Sequence, residues 1–136
     1  QSRSSAASDV YKRQVLEHVG FDEGHIVSSV HNIAHHGDLS NSDQTKHIVV
    51  DDVISTFKNY ILEWDEKQIK TFVDDKLIFS YSKNNQPWER WPFDEKFHFI
   101  LNIAIGGNWG GIKGIDDNAF PTKMEIEHFR VYKKKP

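Results

Sequence analysis

Residues 60–81 read YILEWDEKQIKTFVDDKLIFSY, and this stretch decides the fold class. It holds three short runs rich in aliphatic, β-branched and aromatic residues, which are the side chains that strands favour. Two acidic clusters separate the runs, DEK at 65–67 and DDK at 74–76. Because connections this short join antiparallel neighbours, the stretch predicts three consecutive antiparallel strands.

The rest of the chain repeats this pattern of short strands and turn clusters. Further strands are predicted at VLEHV (15–19), HIVSSVHN (25–32), HIVV (47–50), FHFILNIAIGG (97–107) and MEIEHFRVY (124–132). The segment 97–107 is almost continuously apolar, so we expect it to be buried on both faces. A polar loop spans 35–46, and a long loop with two tryptophans spans 84–95. About seven strands without a convincing helix predict an all-β sandwich.

Composition excludes several classes of function. The 136 residues suffice for one domain or part of one, and the formal net charge of -3 argues against a nucleic-acid partner. No apolar run is long enough to cross a bilayer. Without cysteine there is no disulfide framework, thiolate nucleophile or Cys-ligated zinc. Four tryptophans and nine phenylalanines are many for this length.

The first fourteen residues, QSRSSAASDVYKRQ, look unlike the rest of the chain. They lack an initiating Met and an apolar signal-peptide core, and they are poor in strand formers. The segment resembles the translation of a transposase end used in sequencing-library preparation. We therefore interpret residues 1–14 as non-native and exclude them from the fold prediction.

Several ordered motifs after residue 14 resemble glycoside hydrolase family 16, and within it the laminarinase-like β-1,3-glucanases. The matching segments are YILEWDEKQIKTFVD (60–74), WPFD (91–94), FHFILNIAIGGNWGG (97–111), FP (120–121) and MEIEHFRVY (124–132). The resemblance implies a concanavalin A-like jelly-roll β-sandwich whose concave sheet forms a sugar-binding cleft. It also implies that residues 15–136 are the C-terminal part of the catalytic domain, incomplete because N-terminal strands are missing.

The family's active strand carries E-x-D-x-x-E, which supplies a nucleophile, an assisting Asp and an acid/base. Glu17 falls on the last acid, whereas Lys12 and Gln14 occupy the nucleophile and Asp positions. Alternate side chains of a strand share one face, so the extra residue before Glu17 reverses its face unless a β-bulge restores it.

A retaining glycosidase needs two carboxylates roughly 5–5.5 Å apart. Lys12 cannot attack as a carboxylate, so this chain is predicted to be an inactive fragment. Its parent is expected to be a retaining hydrolase that cleaves internal β-1,3 or mixed β-1,3/1,4 glucan linkages.

Four further residues are candidates for substrate binding. His31 lies where the resemblance implies a cleft histidine, although a partly buried structural histidine is an equal alternative. Trp109, in the glycine-rich GGNWGG, is expected to line the cleft, because indole faces stack on sugar rings and glycines allow close approach. Trp91 and Asn108 fit a cleft or a structural role equally well. Trp64 is expected to be a core residue.

The expected partner is a β-glucan polysaccharide, with no nucleic acid, no membrane and no cofactor. Glu127 lies where many family members place an acid near a calcium ion. The companion ligands would come from upstream, so a structural calcium is an expectation for the parent only. The parent is expected to be secreted, extracellular or periplasmic. An alternative is a non-catalytic, lectin-like carbohydrate-binding jelly roll; Glu and Asp in the genuine sequence before Val15 would favour the enzyme.

Overall fold

The computed structural model describes residues 12–35 and 44–135. Regular structure in this part of the chain consists of six β-strands and two 3-10 turns. The strands are β1 (Lys12–Glu17), β2 (His25–His31), β3 (Thr45–Val49), β4 (Tyr60–Trp64), β5 (Gln68–Val73) and β6 (Lys76–Ser82), and the 3-10 turns are Ile33–His35 and Asp117–Ala119. They form two three-stranded antiparallel sheets, β1-β2-β3 and β4-β5-β6. The predicted all-β class is confirmed.

The β4-β5-β6 sheet is the meander that residues 60–81 predict. The carboxylate of Asp65 accepts hydrogen bonds from the backbone N–H groups of Lys67 and Gln68 at 2.7 and 2.9 Å, which closes the first turn. In the second turn Asp74 adopts a positive φ of 50°, a conformation that Asp tolerates better than most residues. Its carboxylate also accepts the Asn59 N–H at 2.9 Å. Both acidic clusters therefore act as turns.

The core contains side chains from both sheets and from the loop after β6. Its fully or almost fully buried apolar members are Ile26, Val30, Ile69, Val73, Ile78, Phe79, Tyr81, Trp91 and Phe93. The Tyr81 and Trp91 rings are stacked with centroids 5.8 Å apart. Asn32, which is fully buried, donates to the backbone oxygen of Arg90 at 3.0 Å and so ties the loop to β2. This packing fixes β2 as the central strand beneath the candidate site.

Strand β1 begins at Lys12, so the excluded segment 1–14 overlaps the fold. Residues 12–14 pair with β2, because backbone hydrogen bonding in a ladder depends little on side-chain type. The Arg13 guanidinium lies 3.6 Å from the Trp64 ring centroid and 4.0 Å from that of Phe97. Trp64 itself is 42% exposed, and its indole N–H donates to the Phe93 oxygen at 3.0 Å. The prediction of Trp64 as a core residue is therefore wrong.

Residues 99–135 group as a second compact unit, separate from the unit that ends at His98. Neither predicted strand in this region, 97–107 or 124–132, is present in the described structure. Phe99, Ile100 and Leu101 are more than half exposed, which contradicts burial on both faces. A strand requires a hydrogen-bonded neighbour, and the described residues supply none for these segments. Apolar patterning predicts which residues favour burial, but it does not supply a partner.

Candidate active site

Strand β1 carries a β-bulge between Gln14 and Glu17. Gln14 pairs with Ser29 and Glu17 pairs with Val27, so three steps along β1 match two steps along β2. The extra residue brings the side chains of Gln14 and Glu17 together, and the Gln14 amide donates to Glu17 Oε2 at 2.8 Å. The bulge that the E-x-D-x-x-E spacing requires is confirmed.

Gln14 joins Glu17 to two buried side chains of β2, and we call Gln14, Glu17, Ser29 and His31 the Gln14 cluster. Gln14 Oε1 lies 2.7 Å from Ser29 Oγ and 2.6 Å from His31 Nε2. Ser29 is 2% exposed and His31 is 9% exposed. The structure therefore brings together two of the predicted site residues, Glu17 and His31, on either side of position 14.

The backbone beneath the cluster is held from the core side. Ser28 is fully buried, and its hydroxyl donates to the Gln14 backbone oxygen at 2.9 Å. The same hydroxyl lies 2.7 Å from Thr71 Oγ1 on β5. This contact ties the bulged strand to the opposite sheet. The neighbouring Ser28 and Ser29 thus hold the backbone and the side chain of residue 14, respectively.

The cluster contains a single carboxylate, that of Glu17. The amide at position 14 is neutral, so it cannot supply the negative field of the family's assisting Asp. Lys12 pairs in register with His31, which places position 12 on the strand beside the cluster. A glutamate there would stand two residues before position 14, on the same strand face. The strand could therefore present a pair of carboxylates from positions 12 and 17, but in this chain only Glu17 is a carboxylate.

Trp91 does not line an open cleft in this structure. It is 1% exposed and packs within the core, edge-on to Phe93 with ring centroids 5.4 Å apart. Its indole N–H donates to Asp94 Oδ1 at 3.1 Å. The prediction that Trp91 lines the sugar-binding cleft is therefore wrong, and the structural alternative is correct. An indole that is buried this deeply presents no face to a sugar.

Two hydrogen bonds stabilise the carboxylate of Asp94. Lys83 donates to its carboxylate at 2.7 Å. The hydrogen bond from Lys83, followed by that from Trp91, lowers the pKa of the Asp94 carboxyl from its ordinary value of 3.8. Asp94 therefore anchors the loop that contributes Trp91 to the core.

Asn108 and Trp109 belong to the second unit, where they lie in a glycine-rich turn. Gly106 and Gly107 have positive φ values of 72° and 85°. A Cβ on Gly111 would lie 2.8 Å from the Gly107 backbone oxygen, so this position requires glycine. The predicted tight loop is confirmed. Asn108 is exposed and Trp109 is half-buried, and their contact with substrate stays a prediction.

Glu127 lies beside His128, and the structural calcium expected near this acid stays a prediction for the parent. Its Oε2 lies 3.8 Å from Nδ1 of His128, and the Glu127 side chain is largely exposed. Within ranges 12–35 and 44–135, no three His, Asp or Glu side chains are grouped so that they could hold a metal. Calcium takes six to eight oxygen ligands, which one carboxylate cannot supply. Among the residues described, no helix has the length and apolar character needed to cross a membrane.

Sequence reasoning missed the role of Ser29 in the site. Gln14 was recognised only as the residue that occupies the position of the family's Asp. Ser29 carried a usable signal, since it stands two residues before His31 and therefore on the same strand face. Serine in a strand that is otherwise apolar is a further indication of a buried hydrogen bond.

Comparison with known proteins identifies the family. The sequence profile described as "Glycosyl hydrolases family 16" matches residues 15–128, which is most of the chain. The chain belongs to glycosyl hydrolase family 16. The family that the motifs predicted is therefore confirmed.

Relatives of this family-16 chain include a β-glucanase and a laminarinase of known structure. A β-glucanase from Rhodothermus marinus is 36% identical over 124 residues, covering 88% of this chain and 43% of that protein. The crystal structure of the laminarinase from Rhodothermus marinus matches with a TM-score of 0.76 at 36% identity, covering 89% of this chain and 50% of that one. This likeness confirms the predicted jelly-roll class.

A third match includes bound sugar. It is a mutant of the non-specific endo-β-1,3(4)-glucanase SCLam that presents 1,3-β-D-cellobiosyl-glucose at its active site. The TM-score is 0.69 at 28% identity, covering 79% of this chain and 42% of that one. The chain thus spans about half the length, or less, of the relatives it matches.

Proposed function

We propose that this chain carries the acid/base half of a retaining glycoside hydrolase active on internal β-1,3 or mixed β-1,3/1,4 glucan linkages. The observation that carries the proposal is the bulge in β1, which brings residues 14 and 17 together beside His31. Family membership and relatives that are β-glucanases support the substrate class. None of the relatives named above is a non-catalytic sugar-binding module, so that alternative gains no support.

In this proposal Glu17 acts twice. Its carboxylic acid first gives a proton to the glycosidic oxygen, which leaves as an alcohol while a carboxylate at position 12 attacks the anomeric carbon. The Glu17 carboxylate then takes a proton from water, whose oxygen displaces the position-12 carboxylate from the sugar. His31, Asn108 and Trp109 are proposed substrate contacts.

The chain as it stands is proposed to be inactive. Position 12 is lysine, so no carboxylate is present to form the glycosyl intermediate. Position 14 is a neutral amide bonded to Glu17. Both residues leave the bulge intact, so they add a chemical defect to the absence of the upstream part of the family domain.

A chimera tests the proposal in a setting that supplies the rest of a family domain. Residues 15–128 of this chain replace the matching region of the Rhodothermus marinus β-glucanase, which keeps its own residues upstream. We expect hydrolysis of laminarin with retention of the anomeric configuration, measured by NMR of the first product. Glu17→Gln should lower kcat by about 10²–10⁴-fold, the usual contribution of a general acid.

Matched variants separate catalysis from folding. Glu23→Gln changes an exposed acid in the turn after β1 and should leave kcat unaffected. A longer graft that includes Lys12 and Gln14 should be inactive until Lys12→Glu and Gln14→Asp are introduced. A folded 15–128 chimera without activity, or one that keeps activity after Glu17→Gln, contradicts the assignment.

We also propose that the intact protein acts outside the cytoplasm, in the periplasm or extracellular space, without nucleic-acid or membrane partners. The reason is the substrate, because a glucan polymer does not cross a membrane. Fractionation of cells that express the intact protein checks this location.

A further inference from the structure

We propose that Ser29 is a positioning residue, whose buried hydroxyl fixes the side chain at position 14 between Glu17 and His31. The inference deepens the proposed function and depends on it for its catalytic meaning. The geometry itself is a property of this chain and is testable without turnover.

Register places Ser29 directly opposite Gln14 in the β1–β2 ladder. Side chains of such a cross-strand pair stand on the same face and within reach of each other. Ser29 Oγ is 2.7 Å from Gln14 Oε1, and Ser29 is buried on β2, which packs in the core. Because a buried hydroxyl has few alternative partners, this short contact constrains the amide strongly.

The hydrogen-bond directions follow from the chemistry of the amide. The Glu17 carboxylate can only accept, so the amide NH2 of Gln14 must face it, as observed at 2.8 Å. The amide oxygen then faces Ser29 and His31, and it also can only accept. Both must therefore donate, which assigns the proton of a neutral His31 to Nε2.

Ser29 is closer to Gln14 than to His31, from which its oxygen is 3.3 Å distant. The Ser29 hydroxyl therefore donates to the Gln14 side-chain oxygen rather than to the His31 ring, and so holds that oxygen in place. A carboxylate at position 14 would offer Ser29 the same acceptor. In an active site of this family, the same hydroxyl would then hold the assisting acid beside Glu17.

Ser28 offers a matched control on the same strand. It is buried like Ser29, but its hydroxyl holds the backbone of residue 14 and contacts Thr71 instead of the amide. Ser28→Ala should weaken packing without changing the orientation of the Gln14 side chain. Ser29→Thr keeps the hydroxyl and should preserve that orientation.

NMR of this chain as it stands tests the proposal. A ¹H–¹⁵N correlation of the His31 ring at about pH 8 should give the Nε2–H pattern. Hydrogen exchange of the Gln14 carboxamide should become about fivefold faster in Ser29→Ala, as expected for the loss of one ordinary hydrogen bond. The rate should stay within about twofold of the parent in Ser29→Thr and Ser28→Ala.

Three outcomes overturn the proposal: an Nδ1–H pattern for neutral His31 in the parent, no acceleration in Ser29→Ala, or equal acceleration in Ser28→Ala. Should Ser29→Ala fail to fold, Ser29→Cys takes its place, because it keeps the side-chain shape and replaces the hydroxyl by a weak donor; an unchanged Gln14 exchange rate in that variant also overturns the proposal. None of these readouts involves hydrolysis, so an inactive chimera would refute the proposed function without affecting this result.

Discussion

Arg13 places a guanidinium between two aromatic rings, and replacing it by methionine should stabilise the chain. Its Nη1 is buried and has no hydrogen-bond partner in the part of the chain that the structure describes. Burial lowers the pKa of Arg13 to about 10, so the side chain remains charged at neutral pH in a site that disfavours charge. A buried donor without a partner costs about 1–3 kcal/mol.

Two opposing contributions decide the net effect of Arg13→Met. The variant loses cation–π contacts with Trp64 and Phe97, each worth about 0.5–1 kcal/mol when partly solvated. Methionine fills a similar space, and its sulfur regains about 0.3–1.5 kcal/mol per aromatic contact. These contributions nearly cancel. The net effect is then the removal of the free-energy cost of the unpaired Nη1 donor. We expect Arg13→Met to raise the free energy of unfolding by about 1–2 kcal/mol.

Urea denaturation followed by tryptophan fluorescence measures this change. The midpoint should rise without a change in the slope of unfolding free energy against urea concentration. Arg130→Met replaces an exposed arginine and should change stability by less than about 0.5 kcal/mol. A stability loss in Arg13→Met would show that the two cation–π contacts outweigh the unpaired charge, and the reasoning would be refuted.

Two further predictions concern the glycine turn and acid stability. Gly111→Ala should disrupt the turn, because the new Cβ would lie 2.8 Å from the Gly107 oxygen. Gly20→Ala is the control, because a Cβ at that position meets nothing within 4 Å. We expect faster amide hydrogen exchange around Trp109 in Gly111→Ala and no change in Gly20→Ala. Equal exchange in both variants would contradict the close approach. For Asp94 the folded pKa lies below the ordinary 3.8, so its stabilising contribution is present above 3.8 and is lost as pH falls through the folded value. Asp94→Asn should therefore flatten the acid side of the stability curve, and an unchanged pH dependence would contradict it.

The strands of residues 60–81 were predictable because every signal needed to form them is local. Aliphatic and aromatic runs, acidic turn residues and short connections all lie within the same stretch, and the structure has all three strands. Segments 97–107 and 124–132 carry equally strong apolar patterns. Their strands are absent from the described structure because pairing requires a partner elsewhere, and a local pattern cannot supply one.

In the site too, features set by neighbouring residues in the sequence were predictable, and features set by contacts between distant segments were not. Motif spacing predicted Glu17 and the bulge, since both depend on consecutive residues of one strand. Trp91 was ambiguous because an aromatic residue in a loop fits both a cleft and a core, and only the stacking on Tyr81 decides between them. Ser29 required the register of β1 against β2, which no single strand encodes.

The glutamine at position 14 keeps the hydrogen-bond geometry of this site but lacks the charge of a carboxylate. Glutamine offers an acceptor oxygen to Ser29 and His31, as a carboxylate would, so the buried polar groups of β2 remain satisfied. Its NH2 then meets the Glu17 carboxylate with an attractive hydrogen bond where an Asp would bring repulsion. The substitution therefore favours a well-ordered cluster while removing the charge that the proposed reaction needs. In the proposed mechanism, an intact bulge and a satisfied hydrogen-bond network are therefore not enough for activity, and the reaction also depends on the identities of residues 12 and 14.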